Sequence, residues 1–348
     1  MPNSSSNKDP KLLLQSAPLL HQELTTPAAM KDVWIALLPV TLASLWFFGL
    51  PALLLLLASI SGAILTEWLF TDKKKRRFAL SDTSAGLTGL LLGLTLPAGL
   101  PLWMAFLGGV VSIGLGKVIW GGLGTNIFNP ALLGRAFLLG TFPIAMTTWV
   151  ASSGPENFFN INSSNLAMPF MQAQLDAMSE ATPLGLLKFE QQSTAISQLF
   201  VGNTAGSIGE TSAFLILLGA LYLFLRKGIN WRIPVAILST ASLFSLILLL
   251  VDSQQYPSPL FTLFSGGLLL GTFFMATDPV TSPLTPKGCW IFGIGIGFLV
   301  VLIRVYGGLP EGVLYAILLM NAATPLIDRY TQPKIFGRND KNQNKARQ

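Results

Sequence analysis

The chain is a succession of long apolar runs separated by short polar or Gly/Pro-rich turns. The runs lie near 33–50, 51–70, 83–96, 101–119, 127–143, 211–225, 233–251, 259–277, 290–305 and 311–327. A membrane-spanning helix needs about 20 predominantly apolar residues, so the pattern predicts an all-α polytopic membrane protein with about ten transmembrane helices. The runs bounded by Pro and Gly, such as 83–96 and 127–143, are expected to be broken or tilted helices. Lipid permits that form only where protein buries the freed backbone. The longest polar stretch, 144–210, separates five runs from five.

Composition agrees with this and excludes other classes. Hydrophobic residues make up 51% of the 348 and charged residues 11%, with a mean hydropathy of +0.58. A water-soluble domain of this length could not hide that much apolar surface in one core. The net charge of +6 does not indicate nucleic-acid binding. Its basic residues fall in short runs between apolar segments, where they act as topology signals. Lys31, the KKKRR run at 73–77, Lys117, the 226–232 segment, Lys287 and the tail after Arg329 share one face when ten spans are threaded alternately. That face is expected to be cytoplasmic. Glu156, Asp176, Glu180, Glu190, Asp252 and Glu311 then fall on the opposite face, with Lys188 as the clear basic exception. The run KLLLQSAPLL near the N-terminus is interrupted by polar residues and has no small-residue cleavage site, so it is not expected to be a signal peptide.

An odd number of spans per half makes related halves inverted copies. IWGGLGTNIFNPALL at 119–133 and VYGGLPEGVLYAILL at 305–319 echo each other, each an aromatic-Gly-Gly-Leu turn opening the last helix of its half. The expected organisation is a cytoplasmic arm over 1–32, a five-helix half over 33–143, an external loop over 144–210, a second half over 211–327 and a basic tail over 328–348.

One cysteine, Cys289, and one histidine, His21, leave no material for Cys/His metal cages or His-based catalysis. Other residues are better candidates. Asn129 can cap a helix that has Pro130 in its first turn. Arg135 would lie more than a turn inside that span, at a cost of roughly 2.5–3.5 kcal/mol, and calls for a partner acid or a ligand anion. GNTAGSIGETSAF at 202–214 places Gly206, Ser207, Glu210 and Thr211 before the sixth span, where free backbone N–H groups can hold phosphate or simply be capped. Glu67, Asp82 and Asp278 sit at span ends, as candidates for an ion path or as caps of turns.

The external loop contains Asp176, Ala177, Met178, Ser179, Glu180, Ala181, Thr182, Pro183 and Leu184 in succession. This resembles the acceptor sequence at which flavin transferases attach FMN through its phosphate to a threonine hydroxyl. The matching residues are Asp176, Ser179, Ala181 and Thr182, and Glu180 stands where the pattern usually has a small residue. A phosphoester acceptor needs exposed backbone, which loops provide, and Pro183 disfavours helix at Thr182. Because the loop is expected to be exposed, Thr182→Val should change stability by no more than about 0.5 kcal/mol.

LLPVTLASLWFFG, ILTEWLF, SDTSAGLTGLLLGLTLP, GGLGTNIFNPALLGRAFL, SEATPLG, GSIGETSA, WRIP, FFMATDPVTSP and LLMNAATPLIDRYTQPKIFGR stand in order along the chain. In this series the chain resembles the RnfD subunits of bacterial Rnf electron-transport complexes and, more distantly, the NqrB subunits of the sodium-pumping NADH:quinone oxidoreductase. The resemblance implies an inner-membrane subunit with two inverted five-helix halves, FMN on Thr182 and a noncovalent riboflavin nearer the cytoplasmic side. It also implies electron transfer coupled to Na⁺ or H⁺ movement. Iron–sulfur and second FMN-bearing subunits would be partners, and a flavin transferase would mature the chain. No dinucleotide fingerprint or cysteine cluster is present, so donor and acceptor sites belong to partner subunits. The competing expectation is a secondary transporter with inverted repeats and no redox cofactor. A third is a structural anchor that carries no flavin.

Overall fold

The computed structural model describes residues 25–71, 76, 82–152, 154, 158–161, 163–169, 181–202, 204–253 and 255–333. Among these the chain is helical, with one isolated bridge between Pro97 and Ser207 and no strand. Asp176, Ser179 and Glu180, the N-terminal arm through residue 24 and most of the tail lie outside the described residues.

The first two apolar runs form one element, α1 (Thr26–Phe70), bent at Gly49 where φ is 64° and ψ −144°. A straight helix of that length would reach about 67 Å, more than twice a hydrocarbon core of about 30 Å. The bend therefore divides it into two pieces of membrane length. A side chain at Gly49 would strike the backbone of Phe158, whose carbonyl accepts from Leu50 N at 2.8 Å. Pro51 follows directly and removes a backbone donor. The next elements are α2 (Ser84–Leu94), α3 (Leu102–Ile113, continued by a π-turn to Val118) and α4 (Pro130–Thr141). The second part of the chain contains α5 (Ala213–Leu225), α6 (Arg232–Val251), α7 (Pro259–Phe264) and α8 (Leu268–Leu270, continued by a π-turn to Met275). It ends with α9 (Pro286–Tyr306) and α10 (Val313–Thr331). Short helical turns at Pro143–Thr147, Pro183–Gly185 and Ile196–Val201 lie in the connections.

Three helices, α1, α6 and α9, are long and apolar enough to cross a membrane, and α2, the α3 segment through Val118 and α5 are shorter apolar helices. The protein is a multi-pass membrane protein. The expected continuous span over 259–277 is corrected: it is two helices interrupted at Ser265, Gly266 and Gly267, with Gly266 at φ 61°. The expected span at 83–96 is an 11-residue helix, about 16 Å long at 1.5 Å per residue.

Helices this short leave irregular backbone beyond their ends, and the fold buries that backbone in protein, as lipid requires. Ile208 N donates to Leu96 O at 3.0 Å and Gly209 N to Leu94 O at 2.7 Å, so the segment after α2 pairs with the segment before α5. Asn165 Nδ2 closes the carbonyls of Ala98 and Leu100 at 2.8 and 2.9 Å. Around this junction the apolar core runs continuously from α1 through α2 and α5 to α9 and α10, with Leu92, Leu94, Leu96 and Ile208 sealed in it.

Candidate functional site

Asn129 opens α4 as expected, its Oδ1 accepting from Ala131 N at 3.0 Å with Pro130 in the first turn. Arg135 lies one and a half turns further on and is 6% exposed. Its NH1 donates to Glu210 Oε1 at 3.1 Å, and its NH2 donates to Glu311 Oε2 at 2.7 Å and to Ser207 Oγ at 3.4 Å. Glu311 Oε1 also accepts from Gly267 N at 3.1 Å, at the break between α7 and α8. An ideal Cβ on Gly267 would lie 2.4 Å from Glu210 Oε1 and 2.6 Å from Glu311 Oε1. The two carboxylates thus converge on a space that only glycine leaves open. The sequence calls for a partner acid or a ligand anion, and two acids meet that demand.

This cluster forms part of the wall of a cavity of about 420 Å³. Arg135 and Leu139 of α4, Glu311 just ahead of α10, and Leu314 and Tyr315 in its first turn lie on its surface, with Trp149, Ala181, Thr182 and Phe189. Thr182 is extended backbone capping the turn that begins at Pro183, and its Oγ1 accepts from Gly185 N at 3.1 Å. Its expected free exposure is corrected: the residue is half-buried and its hydroxyl oxygen already holds a cap. A smaller adjoining cavity of about 40 Å³ is lined by Thr182, Gly206, Ser207, Glu210, Thr211 and Glu311, among others. Of the residues proposed from sequence, Arg135, Ala181, Thr182, Gly206, Ser207, Glu210 and Thr211 therefore meet in one region.

Others gather elsewhere. Asn129, Asn126, Ser84, Lys117 and Asp278 line a separate cavity of about 120 Å³, with Phe273 and Phe274. Asn129, grouped with Arg135 from sequence, belongs here, and its Nδ2 donates to Met275 O at 3.2 Å. Lys117 Nζ donates to Glu67 Oε1 and, at 2.7 Å, to Ser84 Oγ. Asp82 Oδ1 accepts from Ser84 N at 2.9 Å, and Asp278 takes Val280 N at 3.3 Å and Thr281 Oγ1 at 3.2 Å. Both aspartates thus cap their own turns. Among the described residues no group of three His, Cys, Asp or Glu could hold a metal ion, and Cys289 is buried.

Sequence reasoning missed Glu311, read only as a loop acid, and Arg304. Arg304 NH1 and NH2 donate to the carbonyls of Thr262 and Ser265 at 2.6 and 2.9 Å, closing the end of α7 at the break. The available signal for Glu311 was its place in the repeated Gly-Gly-Leu turn, just ahead of a span. Lys188, the basic exception in the loop expected to be external, donates to Arg304 O at 2.9 Å, Gly307 O at 2.5 Å and Leu309 O at 3.2 Å. Burial pushes its ammonium pKa below the ordinary lysine value, and three carbonyls replace the water it gave up.

The large cavity lies within the 300–1,000 Å³ typical of small-molecule sites, which are apolar and aromatic with a few placed polar groups. Trp149, Phe189 and Tyr315 supply the aromatic surface, Thr182 a hydroxyl and Arg135 a fixed cation.

The model of the NQR2, RnfD, RnfE family matches residues 13–337. The D subunit of the proton-translocating ferredoxin:NAD(+) oxidoreductase complex of Clostridium ljungdahlii is 40% identical over 336 residues, covering 93% of this chain and 96% of that protein. The D subunit of the ion-translocating oxidoreductase complex of Stutzerimonas stutzeri is 42% identical, covering 89% of this chain and 92% of its own length. The D subunit of the Na(+)-translocating ferredoxin:NAD(+) oxidoreductase complex of Acetobacterium woodii is 40% identical, with 94% and 95% covered. The chain belongs to the NQR2, RnfD, RnfE family.

Proposed function

We propose that this chain is the flavin-bearing membrane subunit of an ion-translocating oxidoreductase complex, with FMN joined through its phosphate to Thr182. The observation that carries this reading is the position of Thr182 on the wall of a 420 Å³ cavity that is also lined by three aromatic residues and Arg135. The residues suit the group. The volume and aromatic surface accommodate a flat ring system, and Thr182 Oγ1 supplies the ester oxygen while its cap to Gly185 N holds the backbone in place. Bound FMN supplies one- or two-electron transfer.

The protein's own residues do the rest. Arg135 offers guanidinium N–H groups on the cavity wall, held in place by its ion pairs with Glu210 and Glu311. The apolar surroundings exclude water and so strengthen those ion pairs. In this reading the chain has ten spans in two inverted halves divided as set out from the sequence, in the bacterial inner membrane. Both termini are cytoplasmic, and the 144–210 loop meets an outward-facing flavin transferase. Partner subunits supply iron–sulfur centres and further flavin, and Na⁺ or H⁺ is the coupled ion, with Glu67, Asp82 and Asp278 on its path. A noncovalent riboflavin would use the amide of Asn126, whose buried Oδ1 has no hydrogen-bond partner, beside Phe273 and Phe274, and that cavity of about 120 Å³ must widen to admit it.

The test is in-gel flavin fluorescence of the denatured chain, isolated from cells that supply the transferase and its donor. Wild type and Thr182→Ser should fluoresce and Thr182→Val should not. Fluorescence persisting in Thr182→Val would move the attachment elsewhere. A dark wild-type chain would favour a transporter without a redox group.

A further inference from the structure

The cavity that contains Thr182 has two facing walls from distant parts of the sequence. One is the 181–189 segment, which contributes Ala181, Thr182, Gly185 and Phe189. The other is the connection from α9 to α10, which contributes Gly308, Leu309, Pro310 and Glu311. Three glycines and a proline in that connection give it little helical preference of its own, so its position depends on what binds it. At its far end Glu311 is held by Arg135 and Gly267. At its near end the described polar contacts are those of Lys188, whose three N–H donors match the carbonyls of Arg304, Gly307 and Leu309.

The last carbonyls of a helix have no intrahelical partner, and a cation there is favoured by the helix dipole. That explains why a lysine can be half-buried without a carboxylate. It does not require the lysine to come from the segment six residues beyond Thr182. We infer that Lys188 is a positioning residue that fastens the Thr182 segment to the α9–α10 connection and sets the separation of the two cavity walls. Its effect on a flavin rests on the function proposed above, while its effect on the walls does not. Arg304 extends the same fastening inward. Its backbone carbonyl accepts from Lys188, and its guanidinium closes α7 at the break that presents Gly267 N to Glu311.

The experiment has one arm without flavin and one with it, both in the detergent-extracted complex. In the first, Ala181→Cys is combined with Thr182→Val, so no phosphoester can form at that position, and maleimide labelling is followed with Lys188 intact or replaced. Cys289, buried and the chain's single native cysteine, reports unfolding if it too becomes labelled. Lys188→Met leaves three carbonyls without their charged donor, so residue 181 should label at least about tenfold faster while Cys289 stays unlabelled. Lys188→Arg keeps the charge and can donate to carbonyls, and should restore slow labelling. An unchanged rate in Lys188→Met overturns the inference, as do equal rates in the Met and Arg variants, which would make the effect one of packing.

In the second arm, with Ala181 and Thr182 intact, the native-state flavin emission should rise in Lys188→Met, as contact with Trp149, Phe189 and Tyr315 is lost, and fall back in Lys188→Arg. A wild-type chain without covalent flavin refutes the flavin reading and leaves the labelling result to judge Lys188. Faster labelling with unchanged emission upholds the role of Lys188 in setting the walls and overturns its effect on the flavin.

Discussion

Replacing Arg135 with leucine should move two measurable quantities in opposite directions. Insertion should improve, because an arginine well inside a span is penalised by roughly 2.5–3.5 kcal/mol and a leucine is not. Folding stability should fall, because Arg135 pairs with Glu210 and Glu311, whose side chains are 6% and 20% exposed. Removing one partner of a buried ion pair costs about 3–5 kcal/mol, since the other charge is left without compensation. Glu311 is the more exposed acid and keeps its bond from Gly267 N, so most of the loss falls on Glu210. Adding Glu210→Leu to Arg135→Leu should therefore recover at least about 2 kcal/mol, although each change alone destabilises. The assay is denaturant unfolding of the purified chain in mixed micelles, alongside the amount inserted into membranes. A single variant within about 0.5 kcal/mol of wild type, or a double variant no more stable than Arg135→Leu, would refute the claim that this cluster is a mutually dependent buried unit.

Further outcomes follow from the same geometry. Gly267→Ala would place a Cβ 2.4–2.6 Å from two carboxylate oxygens and should destabilise by about 1–3 kcal/mol, as overpacking does; the same unfolding assay reads it, and no loss would mean that the carboxylates part freely. Thr182→Val removes a helix cap and should cost about 1 kcal/mol, more than an exposed loop position would, while Thr182→Ser should stay within a few tenths of wild type. A reporter fused near Asn160 should be active outside the cytoplasm, and activity confined to the cytoplasm would contradict the ten-span threading.

The class of the protein and the start of α4 at Asn129 and Pro130 were legible because they depend on local composition and capping chemistry. So was the need of Arg135 for a partner, since a guanidinium buried in an apolar span must have its charge and its N–H groups answered. The identity of the second partner was not legible. Glu311 is 176 residues away, and no local period encodes such a contact. The break at Ser265, Gly266 and Gly267 was hidden for a different reason: Leu and Phe on both sides give the same apolar run whether the helix continues or stops. Lys188 stood out as an exception to charge asymmetry, but its acceptors are backbone carbonyls, which leave no mark in a sequence.

The central claim is that Thr182 carries a flavin phosphoester, and mass spectrometry of the peptide containing residues 176–188 tests it most directly. In protein from cells that supply the transferase and its flavin donor, the account predicts that this peptide carries the added mass of FMN, less one water, localised to Thr182 by fragmentation. An unmodified Thr182 in that protein would contradict the account and return the cavity beside Arg135 to the transporter interpretation.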